Sequence, residues 1–343
     1  MAPEGSLVVR EAQRVTSATV PRGSAGTPNL FIAGAPRCGT TSLHSLLSQH
    51  PDAFMSRVKE PHYFSSDINA RYEEHAGHEI PFLYKTPEQY LALFEDAGEA
   101  RVVGESSVYY LFSEVAAAGI AAANPDARIV VLLREPVEFL HSLHGRLFAM
   151  GDEDVRDFER ALDLEPQRKA GRQLPPNVRL PELLAYSEYA RYAESLGRFL
   201  AHFPREQVRV LIFEEYRRDK QAAWDSLLEF LELAPHALPT EEQRNPNTEP
   251  RSHRLAGFLR NRGLYLEEPS RASGLSDLPR RVRRKLLGTL ERLNTREAPR
   301  RPLDPVLRDR LKARFAGEVE SLEELLGRDL GEVWGYGRAG ELG

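Results

Sequence analysis

Two stretches of the chain hold side chains whose types and spacing suit phosphate chemistry. The first is GAPRCGTTS, Gly34 to Ser42. Gly34 and Gly39 frame Arg37 and Cys38, and Thr40, Thr41 and Ser42 follow. A Gly-bearing loop that opens a helix turns backbone N–H groups toward one point, and the helix dipole there favours an anion. The nucleotide-kinase P-loop reads G-x-x-x-x-G-K-[ST], and its Lys reaches the β- and γ-phosphates. Here Thr40 stands in place of that Lys, and the cation sits inside the loop at Arg37. The loop therefore suits one 5'-phosphate-type group better than a triphosphate with Mg²⁺. A P-loop kinase or other NTPase is the alternative reading. The second stretch is REPVEFLHS, Arg134 to Ser142. Pro136 suits the first turn of a helix, and Ser142 lies about two helical turns beyond Arg134.

The elements around these stretches place them at one edge. Leu30 to Ala33 form an apolar run ending in Gly34, and Ile129 to Leu133 form another ending at Arg134. Continuous apolar runs of this length read as buried parallel strands. After the first loop, Leu43, Leu46 and Leu47 share one face of a helix. In an open α/β sheet, ligands bind beyond the carboxyl ends of the strands. Arg37 and Arg134 then both lie there, spaced to hold a nucleotide with phosphates at its 5' and 3' positions. The remaining pattern is β-then-α. It predicts strands over Ala53–Ser56, Arg101–Glu105 and Val208–Phe213. It predicts helices over Pro87–Phe94 (capped by Thr86), Ser113–Ala123, Ser187–Phe203, Lys220–Leu233 and Val306–Leu326. The fold class is α/β, a single P-loop-type domain over 29–340 with a mainly parallel sheet and helices on both faces. Residues 1–28 read as a mobile tail, and 65–86 as a surface excursion. Residues 151–180 are charged and Pro-containing, which suits either a mobile loop over the site or an inert surface insertion. Pro279 to Leu287 is basic and reads as a solvated helix face.

With these motifs in place, the sequence resembles the sulfotransferases that use 3'-phosphoadenosine 5'-phosphosulfate (PAPS). It is most similar to the branch of the heparan sulfate sulfotransferases and their bacterial relatives. PRCGTTSL at Pro36–Leu43 matches the 5'-phosphosulfate loop, with Arg37 where Lys is usual. LREPVEFLHS matches the 3'-phosphate site, with Arg134 and Ser142 as its two binders. KEPHYF at Lys59–Phe64, GESSVYYL at Gly104–Leu111 and FPREQVRVLIFEEY at Phe203–Tyr216 match further segments in family order. The resemblance implies transfer of a sulfuryl group from PAPS to a hydroxyl or amine. It implies that Arg37, Cys38, Gly39, Thr40, Thr41, Ser42, Arg134 and Ser142 bind PAPS, and that no metal is needed. It implies that Glu60, the Glu of the K-E-x-H-[FY]-F segment, is the base. His62 is the second candidate, since histidine titrates near neutrality. Some glycan enzymes of the branch carry Lys where Glu105 stands, which points away from a heparan-like acceptor. Trp334 belongs to a segment that closes the fold. Cys38 has Arg37 beside it and a helix N-terminus after it, both of which favour a thiolate. It nevertheless reads as a passive small residue, because the resemblance assigns it no chemistry.

Composition bounds the rest. The 343 residues carry a net charge of −5, with 41% hydrophobic and 28% charged residues. This balance gives no support to nucleic-acid binding, which usually shows a basic domain. The single cysteine excludes an intrachain disulfide and any Cys-based zinc site. No apolar stretch is long enough to span a bilayer, and the N-terminus lacks a signal-peptide core. The expectation is a cytoplasmic enzyme acting on a small-molecule, lipid or glycan acceptor.

Overall fold

The computed structural model describes residues 27–77, 84–240, 248–252, 255–256, 280–297 and 302–336. Most of the 1–28 tail, Pro279 and the end of the 29–340 domain lie outside them.

Five strands form one parallel sheet: β1 (Leu30–Gly34), β2 (Ala53–Met55), β3 (Val102–Ser106), β4 (Arg128–Leu133) and β5 (Val208–Ile212). Their order is β2-β3-β1-β4-β5. Every residue of β1 and β3 is buried, as is β4 from Ile129 onward. Successive strand residues face opposite ways, so unbroken burial requires cover on both faces. The expected fold class is therefore the observed one. From β1 the chain runs outward to β2, returns to β3, and then crosses to β4 on the other side of β1. The connection order reverses at the β1–β4 pair, which is where such a sheet leaves a crevice at its carboxyl edge.

Helix α1 (Thr40–Leu47) follows β1, and α2 (Ser66–Ala76) and α3 (Pro87–Leu91) lie between β2 and β3. Helix α4 (Ala116–Ala123) precedes β4, and α5 (Pro136–Met150) leaves it. Thr86 caps α3 through a capping box with Gln89, as the sequence predicts. The described part of 65–86 is not a surface excursion. Asp67 and Ile68 of α2 are buried, and Asp67 accepts hydrogen bonds from the Ser113 hydroxyl at 2.6 Å and the Glu114 amide at 2.9 Å.

Residues 151–180 are neither a loose lid nor an inert insertion. They fold into α6 (Phe158–Asp163) and α7 (Glu165–Lys169). Arg168 binds the fully buried Glu153 with both terminal nitrogens, at 2.5 and 2.6 Å. Arg179 grips Asp152 through Nε and Nη2 at 3.0 and 2.9 Å. A charged stretch looks solvent-facing only until its partners are known, and paired charges can be buried. The predicted Ser187–Phe203 helix divides into α8 (Tyr186–Tyr189) and α9 (Tyr192–Leu200). Helices α10 (Phe213–Arg218), α11 (Lys220–Phe230), α12 (Arg280–Asn294), α13 (Pro305–Leu326) and α14 (Gly331–Trp334) complete the described chain. A small antiparallel pair, β6 (Thr248–Pro250) and β7 (Thr295–Glu297), lies outside every sequence expectation. Among the described residues no helix is long and apolar enough to cross a membrane.

Gly34 ends β1 with φ of 155°. A Cβ built there lies 2.7 Å from Leu111 Cβ and 2.9 Å from the Val108 carbonyl oxygen. Gly34→Ala is expected to lower stability by about 1–3 kcal/mol, the usual cost of overpacking. The urea midpoint should fall with an unchanged slope. A midpoint equal to the wild type would show that the turn at Val108–Leu111 yields freely.

Candidate active site

The loop between β1 and α1 is pinned to β4 by the Ala35 amide, which donates to the Leu132 carbonyl at 2.7 Å. Arg37 and Gly39 turn the chain with φ of 63° and 94°. Gly39 is the N-cap of α1, no side chain caps this terminus, and its first turn holds no acidic residue. The orphan N–H groups of a first turn need an acceptor, and here the N-cap residue supplies none from a side chain. Thr40 is buried. The Ser42 hydroxyl lies 2.5 Å from that of Tyr216 in α10, a partner the sequence placed in a matching segment without giving it a task.

Arg37 reaches across this loop, and its Nε donates to Ser142 Oγ at 3.3 Å. Burial, with the nearby guanidinium groups of Arg146 and Arg134, holds its pKa below the ordinary arginine value. Like charges gathered in one place repel, and an anion among them relieves the repulsion. Arg146 escaped the sequence reading. Its signal was spacing: it stands one helical turn after Ser142, which stands one turn after Glu138.

Arg134 sits at the end of β4 as expected. Its guanidinium lies 4.9 Å from the Phe213 ring centroid. Nη2 is 3.4 Å from Glu138 and Nε is 4.0 Å from Glu214. Glu138 also accepts from Arg308 of α13 at 3.0 Å. Glu214 accepts from Trp334 Nε1 at 2.9 Å. Glu135 caps α5, accepting from the amides of Val137 and Glu138 at 3.0 and 2.7 Å and from the Tyr336 hydroxyl at 2.7 Å. Burial raises the Glu135 carboxyl above the usual carboxylate range, although these hydrogen bonds oppose the shift. Trp334 does close the fold, and it closes it onto the acidic residues that orient Arg134.

The Lys59–Phe64 loop comes to the adjoining strand end. The Glu60 amide donates to the Ser106 carbonyl at 2.9 Å. Glu60 and His62 hold φ of 64° and 56°, a region costly for residues with side chains. Lys59 Nζ lies 2.5 Å from one Glu60 oxygen, and His62 Nε2 lies 3.5 Å from the other. Burial works against ionising Glu60, but the His62 hydrogen bond and the Lys59 charge outweigh it and bring its pKa down to about 2. The side chain is 39% exposed, so a reactant can reach it. The His62 ring stacks on Tyr109 with centroids 4.9 Å apart. Glu60 and His62, read as alternatives in the sequence, are thus neighbours in space.

Cys38 is fully buried and its Sγ points at the Pro36 carbonyl at 3.4 Å. Burial pushes its thiol well above the ordinary value, overriding the neighbouring arginines. A cavity of about 560 Å³ lies apart, lined by Ile68, Phe112, Leu180, Tyr189 and Arg198, none of which belongs to these groups. Among the described residues no His, Cys, Asp or Glu cluster is arranged to hold a metal.

A family profile described as "Sulfotransferase family" matches residues 28–236. Mouse carbohydrate sulfotransferase 15 is 25% identical over 251 residues, covering 61% of this chain and 44% of that protein. The human bifunctional heparan sulfate N-deacetylase/N-sulfotransferase 2 is 27% identical over 213 residues, covering 61% of this chain and 22% of that protein. The chain thus spans less than half the length of these relatives. A crystal structure of a sulfotransferase from Alicyclobacillus acidocaldarius superposes with a TM-score of 0.63 at 28% identity, covering 90% of this chain and 98% of that one.

The state of Cys38 is checked by labelling. Iodoacetamide should modify the native protein far more slowly than the denatured one, because the thiolate is the nucleophile. Equal rates would mean that the loop opens and exposes the thiol.

Proposed function

The chain belongs to the sulfotransferase family, and on that premise we propose that it moves a sulfuryl group from PAPS to an acceptor hydroxyl. The observation that carries this reading is that Arg37, in the loop leading to the uncapped N-terminus of α1, is buried within electrostatic reach of Arg146 and Arg134. The residues fit such a donor, whose 5' and 3' anions demand cations at two places. The kinase-like alternative lacks its lysine, and Thr40 in that place is buried.

The donor supplies an activated sulfuryl group on a phosphate leaving group. Arg37 and the first-turn amides of α1 meet the charge that develops on that phosphate. Arg134, flanked by Glu138 and Glu214 over Phe213, takes the 3'-phosphate, and Ser142, which accepts from Arg37 Nε at 3.3 Å, is the second binder proposed for it. Glu60 accepts the acceptor proton as the new oxygen–sulfur bond forms and the bond from sulfur to the leaving phosphate oxygen breaks. Lys59 and His62 keep that carboxylate ionised and oriented. The names of the relatives, a carbohydrate sulfotransferase and a heparan sulfate N-sulfotransferase, support a sugar hydroxyl or amine as the acceptor. The direct test offers PAPS with a panel of sugars, alcohols, lipids and phenols and reads a mass gain of one sulfuryl group. Transfer from PAPS but not from ATP is the expected result. Phosphoryl transfer from ATP would overturn the reading.

Arg134→Ala should weaken binding of PAPS far more than binding of the analogue lacking the 3'-phosphate, because a held guanidinium grips phosphate with two hydrogen bonds. Equal losses by calorimetry would remove Arg134 from the 3'-phosphate.

Glu60→Gln should lower turnover by about 10²–10⁴-fold, the usual range for a general base, with PAPS affinity intact. Glu60 stays ionised far below neutrality, so the ratio of wild-type to Glu60→Gln turnover should hold steady from about pH 5 to about pH 8. A ratio that collapses toward acid would assign the essential ionisation to another group and remove Glu60 from the role of base.

A further inference from the structure

One buried carboxylate has no part in the chemistry above. Glu105 at the end of β3 is fully buried, and among the described residues no Lys or Arg pairs with it. Three hydroxyls donate to it instead. Tyr110 Oη and Tyr90 Oη reach Oε1 at 2.5 and 3.2 Å, and Ser107 Oγ reaches Oε2 at 2.7 Å. Burial raises the Glu105 carboxyl, and the hydrogen bonds from Tyr110 and Ser107 oppose that rise; ionised, the carboxylate only accepts, so each hydroxyl points its single proton at Glu105. The lone pairs of those oxygens are then left for other donors.

Two of the three take a backbone amide of the same loop. Ser107 Oγ accepts from the His62 N–H at 3.1 Å, and Tyr110 Oη accepts from the Phe64 N–H at 3.3 Å. Tyr90 acts by packing: its ring stacks on Tyr63 at 4.4 Å and meets Phe64 edge-on at 5.4 Å. All of these contacts fall on Lys59–Phe64, where Glu60 and His62 hold φ of 64° and 56°. Backbone held in that region persists only when its surroundings fix it.

We propose that Glu105 is the positioning residue of this loop, setting the direction of the hydroxyls that hold the His62 and Phe64 backbone. It thereby fixes Glu60 and His62 in their working conformation. The proposal rests on the reading of Glu60 as the proton acceptor, and its first readout does not need that reading.

Glu105→Gln keeps the shape but introduces a donor, so one hydroxyl must turn away. Amide hydrogen exchange, read residue by residue, should speed up by about tenfold at His62 and Phe64, while Val130 and Leu132 in β4 exchange as in the wild type. Turnover should fall by about tenfold or more with PAPS affinity unchanged, a split that general loss of stability does not produce. Ser107→Ala should speed exchange at His62 and spare Phe64, and Ser107→Thr should restore protection. At His62 the double variant should lose no more than the worse single one, as expected for groups acting in series. Unchanged exchange at both amides in Glu105→Gln, or an equal rise across β4, would overturn the proposal. Exchange decides it even where no acceptor is turned over, so failure of the transfer reading and failure of this one are distinguished.

Discussion

Positive charge gathered at the carboxyl edge of β1 and β4 is the constraint on which the rest of the site depends. Burial, joined by the charges of Arg146 and Arg134, lowers the Arg37 pKa, and unaided the three cations would push one another outward. Acidic residues hold Arg134 at 3.4 and 4.0 Å. Glu138 and Glu214 are held in turn by the C-terminal segment, through Arg308 and Trp334, and Tyr336 of the same segment donates to the helix cap Glu135. Lys312 fastens that segment by donating to the Trp334 and Gly335 carbonyls at 2.7 and 2.9 Å. Partly exposed ion pairs of this kind add little stability. Their contribution is orientation, so the phosphate end of the site is complete only when the last described helices have docked.

Both loops of the candidate site hold strained backbone beside deeply buried strands. Arg37, Glu60 and His62 all adopt positive φ. Each of the two loops is tied to a strand end: Ala35 to Leu132 of β4, and Glu60 to Ser106 of β3. A sheet buried on both faces gives those ties a fixed frame. Strain is tolerated where the neighbours over-determine the backbone, which is why these conformations sit beside the most deeply buried strands.

Much of this was legible in the sequence, for identifiable reasons. β1 and β4 announce themselves as apolar runs, Gly39 marks the sharp turn, and Thr86 with Gln89 spells a helix start. These are local signals. What the sequence hid is pairwise. Glu153 and Arg168 look like surface charges fifteen residues apart until the fold puts one against the other in the core. Cys38 has neighbours that favour a thiolate, yet burial decides its state. Arg146 carries a periodic signal but no motif. Glu105 was read for its place in a motif, whereas its partners Tyr90 and Tyr110 arrive from two separate elements.

The ionisation of Glu60 bears on whether a carboxylate can work beside such a donor. With a pKa of about 2 it is a weak base, and on equilibrium grounds it would not take a proton from an alcohol. The relevant proton is that of the transition state. As the acceptor oxygen bonds to sulfur it loses electron density, and its proton becomes acidic enough for a weak base to receive. A second difficulty is charge: the sulfuryl group is anionic, and a bare carboxylate next to it would repel it. Lys59 answers the second demand. The His62 hydrogen bond and the Lys59 charge hold Glu60 ionised, and on the proposed reading the ammonium 2.5 Å away offsets the negative charge that Glu60 would bring to the reacting centre. A stronger base without that ammonium would gain in proton affinity and meet the repulsion unrelieved.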